Sequence, residues 1–426
     1  MEKKGNAWAL LPILVFLVLF IGVGIVSGDF YAMPITVGFL IALVVAFVQN
    51  PKKTFDEKLS IMAKGAGEEN IMIMCLIFIL AGAFAGAVQA AGGVDSTVNL
   101  GLSFIPARFA VAGLFVIGCF ISISMGTSMG TIAALAPIAV GVSEKTGISS
   151  AICMAAVIGG AVFGDNLSVI SDTTIAAART QGCEMRDKFR VNVKIVWPGA
   201  LITVIIFLVL TWNVEVELEA VSYNLFQVLP YIFVLIGALA GINVFIVLIS
   251  GTVIALLVGV ATQQILPMDI FSVVGNGMAD MFEITILSLL VAGVVELIKD
   301  NGGIDFIIYT IRKHIKTKRG GELGIACLAS LVDCATANNT VAIVIAGPIA
   351  KEIADEYNID PKRVASTLDI FAAAWQGIIP YGAQLLAGAQ AASITPLAII
   401  PYLFYPFLMG ISGVISIFIE YRRRAS

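Results

Sequence analysis

Apolar residues in this chain run in long blocks, not in short alternating stretches. Windows close to the roughly 20 residues that cross a hydrocarbon core as a helix fall at 8–27, 30–49, 70–91, 193–212, 223–240, 242–262, 281–299 and 396–419. Barrel strands would instead alternate over about 10 residues. The pattern therefore predicts an all-α polytopic membrane protein. The first block follows MEKK, as in a signal peptide, but it is longer than an h-region and no A-x-A site follows. It reads as a retained span.

Composition narrows the picture. Of 426 residues, 59% are hydrophobic and 13% charged, and the mean hydropathy is +0.99, outside the range of soluble domains. No basic run with interleaved aromatics accompanies the net charge of -4, which excludes nucleic acid as a partner. The six cysteines are scattered without a C-x-x-C pair or neighbouring histidines, so neither disulfides nor a metal centre is expected. No P-loop or nucleophile elbow suggests an enzyme or a cofactor. The only histidine, His314, lies in a basic loop and cannot serve an intramembrane relay.

The chain also repeats itself. GGVD at 92–95 returns as GGID at 302–305, and PIAVGVSEKTGIS from Pro137 lines up with PIAKEIADEYNID from Pro348. Thr131 with Thr340, Gly67 with Gly277 and Pro12 with Pro230 fall at nearly the same offset. Two halves are expected, 1–213 and 223–426, joined by an extracytoplasmic linker at 214–222 whose neighbourhood, WNVEVELEA, is acidic.

Basic residues orient the halves, because Lys and Arg concentrate in short cytoplasmic loops. Lys3 and Lys4 place the N-terminus in the cytoplasm, and Arg422, Arg423 and Arg424 the C-terminus. NPKKTFDEK (50–58) is basic, whereas its counterpart at 263–280 reads as an outside loop without Lys or Arg. The stretch after GGID, RKHIKTKR (312–319), is basic, whereas few basic residues follow GGVD. The repeats are thus expected to be inverted, an architecture shared by many secondary transporters.

Each half holds two polar interruptions: SISMGTSMGTIAALAP (122–137) and FGDNLSVISDTT (163–174), then LVDCATANNTVAI (331–343) and WQGIIPYGAQLL (375–386). Broken helices free carbonyls and expose half-helix ends, which suits a desolvated cation or an anionic solute. The candidate ion or substrate ligands are Gly126, Thr127, Ser128 and Thr131, with Asp165, Asn166, Ser168, Ser171, Asp172, Thr173 and Thr174. In the second half they are Asp333, Thr336, Asn338, Asn339, Thr340, Gln376 and Gln384. A mid-membrane carboxylate costs about 2.5–3.5 kcal/mol on insertion scales, so Asp165, Asp172 and Asp333 are the candidates for holding Na+. For Asp172 helix capping is the alternative, and for SISMGTSMG it is tight helix packing. Glu283 and Glu296, at helical distance from Asp280 and Lys299, read as paired groups near span ends. Within 107–180 the expectation is a broken crossing over 107–143, then a re-entrant hairpin over 149–180 turning at GDN.

FGDNLSVISDTT resembles the G-D-x-x-S-P-x-S-D-T-T signature of the NhaC-type Na+/H+ antiporter family of the ion-transporter superfamily. Gly164, Asp165, Ser168, Ser171, Asp172, Thr173 and Thr174 match it; Val169 replaces the usual proline and Asn166 a common lysine, as in a divergent branch. The resemblance implies a homodimeric secondary transporter of the inner (cytoplasmic) membrane, coupled to Na+ or H+. Relatives also carry organic anions and amino acids. The expected function is therefore cation-coupled, Na+/H+ antiporter-like transport. The alternative is Na+- or H+-coupled carriage of a small organic solute, an amino acid such as histidine or methionine, or a carboxylate.

Overall fold

The computed structural model describes residues 4–27, 32–104, 106–169, 171–214, 223–240 and 242–423. Beyond Val214 the expected linker lies outside the described residues, as do Lys3, Arg424 and the side chains of Arg422 and Arg423. The first half supplies α1 (Leu11–Ser27), α2 (Ile35–Val48), α3 (Phe55–Ala66), α4 (Glu69–Ala90) and α5 (Gly93–Phe104). It continues with α6 (Ala110–Met125), α7 (Ser128–Thr146), α8 (Ser150–Leu167), α9 (Asp172–Gln181) and α10 (Met185–Leu210). The second half supplies α11 (Leu225–Leu239), α12 (Val244–Ala261), α13 (Ile270–Asp280), α14 (Phe282–Asp300) and α15 (Gly303–His314). Then come α16 (Lys318–Thr336), α17 (Asn339–Tyr357), α18 (Pro361–Gln376), α19 (Ala383–Ala391), α20 (Pro396–Ile399) and α21 (Phe404–Arg423). No strand occurs among the described residues.

The two series run in the same order, and their punctuation matches. Gly92 and Gly302, the first glycines of the two GG pairs, both adopt the left-handed conformation that opens α5 and α15. Gly147 and Asn358 close α7 and α17 in the same way. Packing is reciprocal too: α4 lies on α13 while α14 lies on α3. Small residues permit both approaches, since a Cβ on Gly82 would sit 2.1 Å from the Gly277 carbonyl and one on Gly65 2.6 Å from the Ala292 carbonyl.

Seven helical stretches among the described residues are long and apolar enough to cross a membrane, and the bent pair Ala383–Ala391 and Pro396–Tyr402 makes an eighth. Their outer faces are apolar: Val18, Val44 and Leu257 are each more than 60% exposed. A continuous coat of this kind fits lipid and not water, so the protein is a multi-pass membrane protein. The outside loop expected at 263–280 is instead largely helical, as α13, because Gly277 packs it against α4. Its counterpart α3 starts in a capping box, Thr54 with Glu57. The Thr54 backbone N–H, 2.7 Å away, holds the Glu57 carboxyl below its ordinary range.

The expected division of 107–180 is corrected by the packing. In the second half Tyr357, ending α17, donates to the Ile315 carbonyl just before α16, 3.3 Å away, so α16 and α17 form a hairpin. Their first-half counterparts, α6 and α7, turn at Gly126. Helix α8 instead runs parallel to α6, with Gly160 against the Phe115 carbonyl and Gly164 against the Cys119 carbonyl. It carries on into α9, which follows α17: Gln181 Nε2 donates to the Gly347 carbonyl at 2.8 Å. Residues 150–181 thus run on as one interrupted segment, and 107–146 fold back as a hairpin. Glycine and hydroxyl content is similar in both segments; backbone conformation separates them. The hairpin turns through left-handed Gly126, whereas Ser168 and Ser171 in the interrupted segment are extended and let the chain continue.

Because α8 reaches the depth of the first tip and α9 leaves it towards the base of the second hairpin, the hairpins enter from opposite ends of the bundle. One end gathers the N-terminal segment, the turn after α2 and the start of α15. There Asn6 N–H donates to the Gly302 carbonyl at 2.9 Å, Asn50 to Asn301 at 3.1 Å, and Lys53 pairs with Asp300.

Candidate functional site

The two hairpin tips are built alike. Left-handed Gly126 (φ 70°) precedes extended Thr127, whose hydroxyl caps α7 by accepting the Gly130 N–H. Left-handed Ala337 (φ 51°) precedes extended Asn338, whose Oδ1 caps α17 by accepting the Val341 N–H at 3.0 Å. Each tip thereby starts a half-helix inside the protein.

A single hydrogen-bond chain links the tips to both breaks. Gln376, ending α18, donates to the Ala337 carbonyl at 3.2 Å and to Gln384 Oε1 at 2.8 Å. Gln384 donates to Ser128 Oγ at 3.1 Å, and Ser128 donates to Asp165 Oδ2 at 2.9 Å. Ser171 donates to Asp165 Oδ1 at 2.6 Å and lies 2.9 Å from Thr173 Oγ1. Asp165 is 7% exposed; the hydroxyls of Ser128 and Ser171 and the backbone N–H of Ser128 donate to it, and no ion pair joins it among the described residues.

These groups open onto a cavity of about 120 Å³ closed on one side by Ile73, Met74 and Ile77 of α4. Of the residues singled out in the sequence, it brings together Gly126, Thr127, Ser128, Asp165, Ser171, Asp172 and Thr173. From the second half it is lined by Asn338, Asn339, Thr340, Gln376 and Gln384. The N-cap of α9 is Ser171; Asp172 is the first residue of the helix and lines the cavity. The cavity wall is oxygen-rich, the donor set that a hard cation prefers.

Six predicted residues lie elsewhere. Ser168 is tied to the Ile123 carbonyl (2.7 Å) and Thr131 to the Thr127 carbonyl (3.0 Å), both fixing the first hairpin. Asn166 turns towards α10, where its Oδ1 accepts from Asn192 at 2.8 Å, and Thr174 accepts from Lys188 at 2.9 Å. Thr336 Oγ1 donates to the Asn338 carbonyl at 3.3 Å within the second tip. Asp333 is fully buried in α16 with neither carboxylate oxygen hydrogen-bonded among the described residues, and it does not line the cavity. Glu283 and Glu296 behave as expected of span-end groups: Thr36 donates to Glu283, and Glu296 pairs with Lys64 and Lys299.

Two ion pairs, one fully buried and one half-buried on its arginine side, escaped the sequence reading. Lys188 of α10 pairs with Asp369 of α18, and Arg363 of α18 pairs with Glu322 of α16 at 2.5 Å. A signal was present for Asp369, a lone carboxylate in the apolar run LDIFAAAW. Lys188 gave none, since it sits among the charges of MRDKFR.

Comparisons with known proteins place the chain in a family. The family model described as the Na+/H+ antiporter family matches twice, over residues 5–212 and 211–421. The chain is 25% identical over 399 residues to the Na+/H+ antiporter NhaC of Bacillus subtilis, covering 84% of this chain and 85% of that one. It is 23% identical over 438 residues to the malate-2H+/Na+-lactate antiporter of the same organism, covering 94% and 92%. It is 24% identical over 466 residues to the arginine/ornithine antiporter ArcD of Halobacterium salinarum, covering 97% and 92%.

Proposed function

Because the chain belongs to the Na+/H+ antiporter family, we propose that it exchanges Na+ for H+ through one shared carboxylate, Asp165. The observation that carries this reading is the setting of Asp165. It is buried where both hairpin tips and both helix breaks converge, and its carboxylate is met by the Ser128 and Ser171 hydroxyls and the Ser128 backbone N–H, with no cationic side chain paired to it among the described residues. An unpaired buried carboxylate is costly and must be neutralised. Sodium or a proton each does so, and only one fits at a time.

Serine hydroxyls that donate to the carboxylate in one state can rotate and offer lone pairs to a cation in the other. Ser128, Ser171 and Thr173 then complete the shell around Na+ with Asp165, while Asp172 and Thr127 stand at the cavity wall. Hairpins entering from opposite ends give each membrane face its own access route, which supports alternating access about a fixed site.

On this reading the protein works in the cytoplasmic membrane as a homodimer, with Na+ and H+ as the coupling species and with no cofactor or enzymatic step. Both termini face the cytoplasm. This orientation is supported by the shared end that gathers the N-terminal segment, Lys53 and the start of α15.

The test is a proteoliposome with a pH-sensitive dye in its lumen. An inward Na+ gradient should alkalinise the lumen without any added organic solute, and Asp165→Asn should not respond. Lumenal pH that moves only when a carboxylate or an amino acid is also supplied would overturn the exchange reading in favour of solute carriage.

A further inference from the structure

Beside the cavity, Lys188 has only 1% of its side chain exposed. Its ammonium donates to the Asn166 carbonyl at 2.7 Å and to Thr174 Oγ1 at 2.9 Å, and it pairs with the Asp369 carboxylate. The Asn166 main-chain carbonyl, which also accepts from Asn192 Nδ2 at 3.0 Å, a hydroxyl and a carboxylate form the oxygen set that a hard monovalent cation would choose. Asp369 is fully buried, and its Oδ1 has no hydrogen-bond partner among the described residues.

The fold itself does not call for this pair. Ser150 at the start of α8 aligns with Pro361 at the start of α18, and Asp172 of α9 with Ala383 of α19. In that register Asp369 corresponds to Ile158 and Thr174 to Leu385, both fully buried. The mirror-related break is thus closed by aliphatic packing, and replacing a buried ion pair by such packing is often neutral or stabilising.

We propose that Lys188 is a resident cation filling a second Na+ site made by Asn166, Thr174 and Asp369. This site is distinct from the one at Asp165. The tethered ammonium holds the place of an ion, so the protein binds one Na+ fewer than its oxygen sites allow.

The experiment is equilibrium binding of sodium-22 to purified full-length protein, with Asp165→Asn as a separate arm reporting the exchange site. Lys188→Asn removes the ammonium and leaves space. It should bind one more Na+ per chain than the wild type, and the additional Asp369→Asn should abolish the gain. Lys188→Asn that folds only when Na+ is present would also support the proposal. Unchanged stoichiometry in a folded Lys188→Asn protein would overturn it, as would a variant that no Na+ concentration rescues. A control, Lys188→Met with Asp369→Leu, copies the apolar mirror position. Its failure to fold would overturn the proposal as well, because the pair would then be a requirement of the fold.

Discussion

Replacing Asp165 by asparagine separates charge from shape. The amide keeps one oxygen to accept from Ser128 or Ser171, and the other hydroxyl can rotate to accept from the new N–H. Folding should therefore change by no more than about 1 kcal/mol. A cation in the cavity loses far more. A unit charge about 4 Å away at an effective dielectric of about 20 is worth about 4 kcal/mol, and that corresponds to roughly a thousandfold in affinity. The assay is thermal unfolding in detergent across a NaCl series, with choline chloride holding ionic strength constant. Wild-type protein should be progressively stabilised by Na+ through binding linkage. The Asp165→Asn protein should unfold near the sodium-free wild-type temperature and show no Na+ response in the same range. A variant with the wild-type Na+ midpoint would refute the assignment of the cation to Asp165.

Four other substitutions probe the frame around the site. Ala337 holds a left-handed conformation at the second tip where the first tip has Gly126; Ala337→Gly should stabilise by about 0.5–1 kcal/mol and Gly126→Ala should cost about 1–2 kcal/mol, both read by thermal unfolding. A Cβ on Gly160 would lie 2.4 Å from the Phe115 carbonyl, so Gly160→Ala should push α6 from α8, cost about 1–3 kcal/mol and slow exchange in proteoliposomes. Asp333 does not line the cavity; Asp333→Asn should leave the sodium-22 affinity within about twofold of wild type, and a loss comparable to that of Asp165→Asn would place it in the site.

Much of the frame was legible because membrane helices announce themselves by length and apolarity. The windows ending α1, α2, α4 and α12 fall within a few residues of the observed helix ends. The GG pairs and the segments from Pro137 and Pro348 carried the repeat, since each marks a helix start or end that both halves need. What the sequence hid was direction. GTS and GDN look equivalent as polar breaks, yet the left-handed residue at Gly126 reverses the chain while the extended Ser168 and Ser171 let it pass. Helices α3 and α13 were hidden because each is short, and packing on a partner half sustains them. Within the site, hydroxyl-rich FGDNLSVISDTT told which segment matters. It did not tell that Asp165 and Ser171 face the cavity while Asn166 and Thr174 face Lys188.

One carboxylate serving both ions makes Na+ and H+ strict competitors, and this is measurable in steady-state exchange. Reconstituted protein should show an apparent KM for Na+ that rises about tenfold for each unit of acidification once protons dominate the site, with the maximal rate at saturating Na+ unchanged. A constant KM with a falling maximal rate would contradict a shared Asp165, because proton and sodium would then bind at separate places.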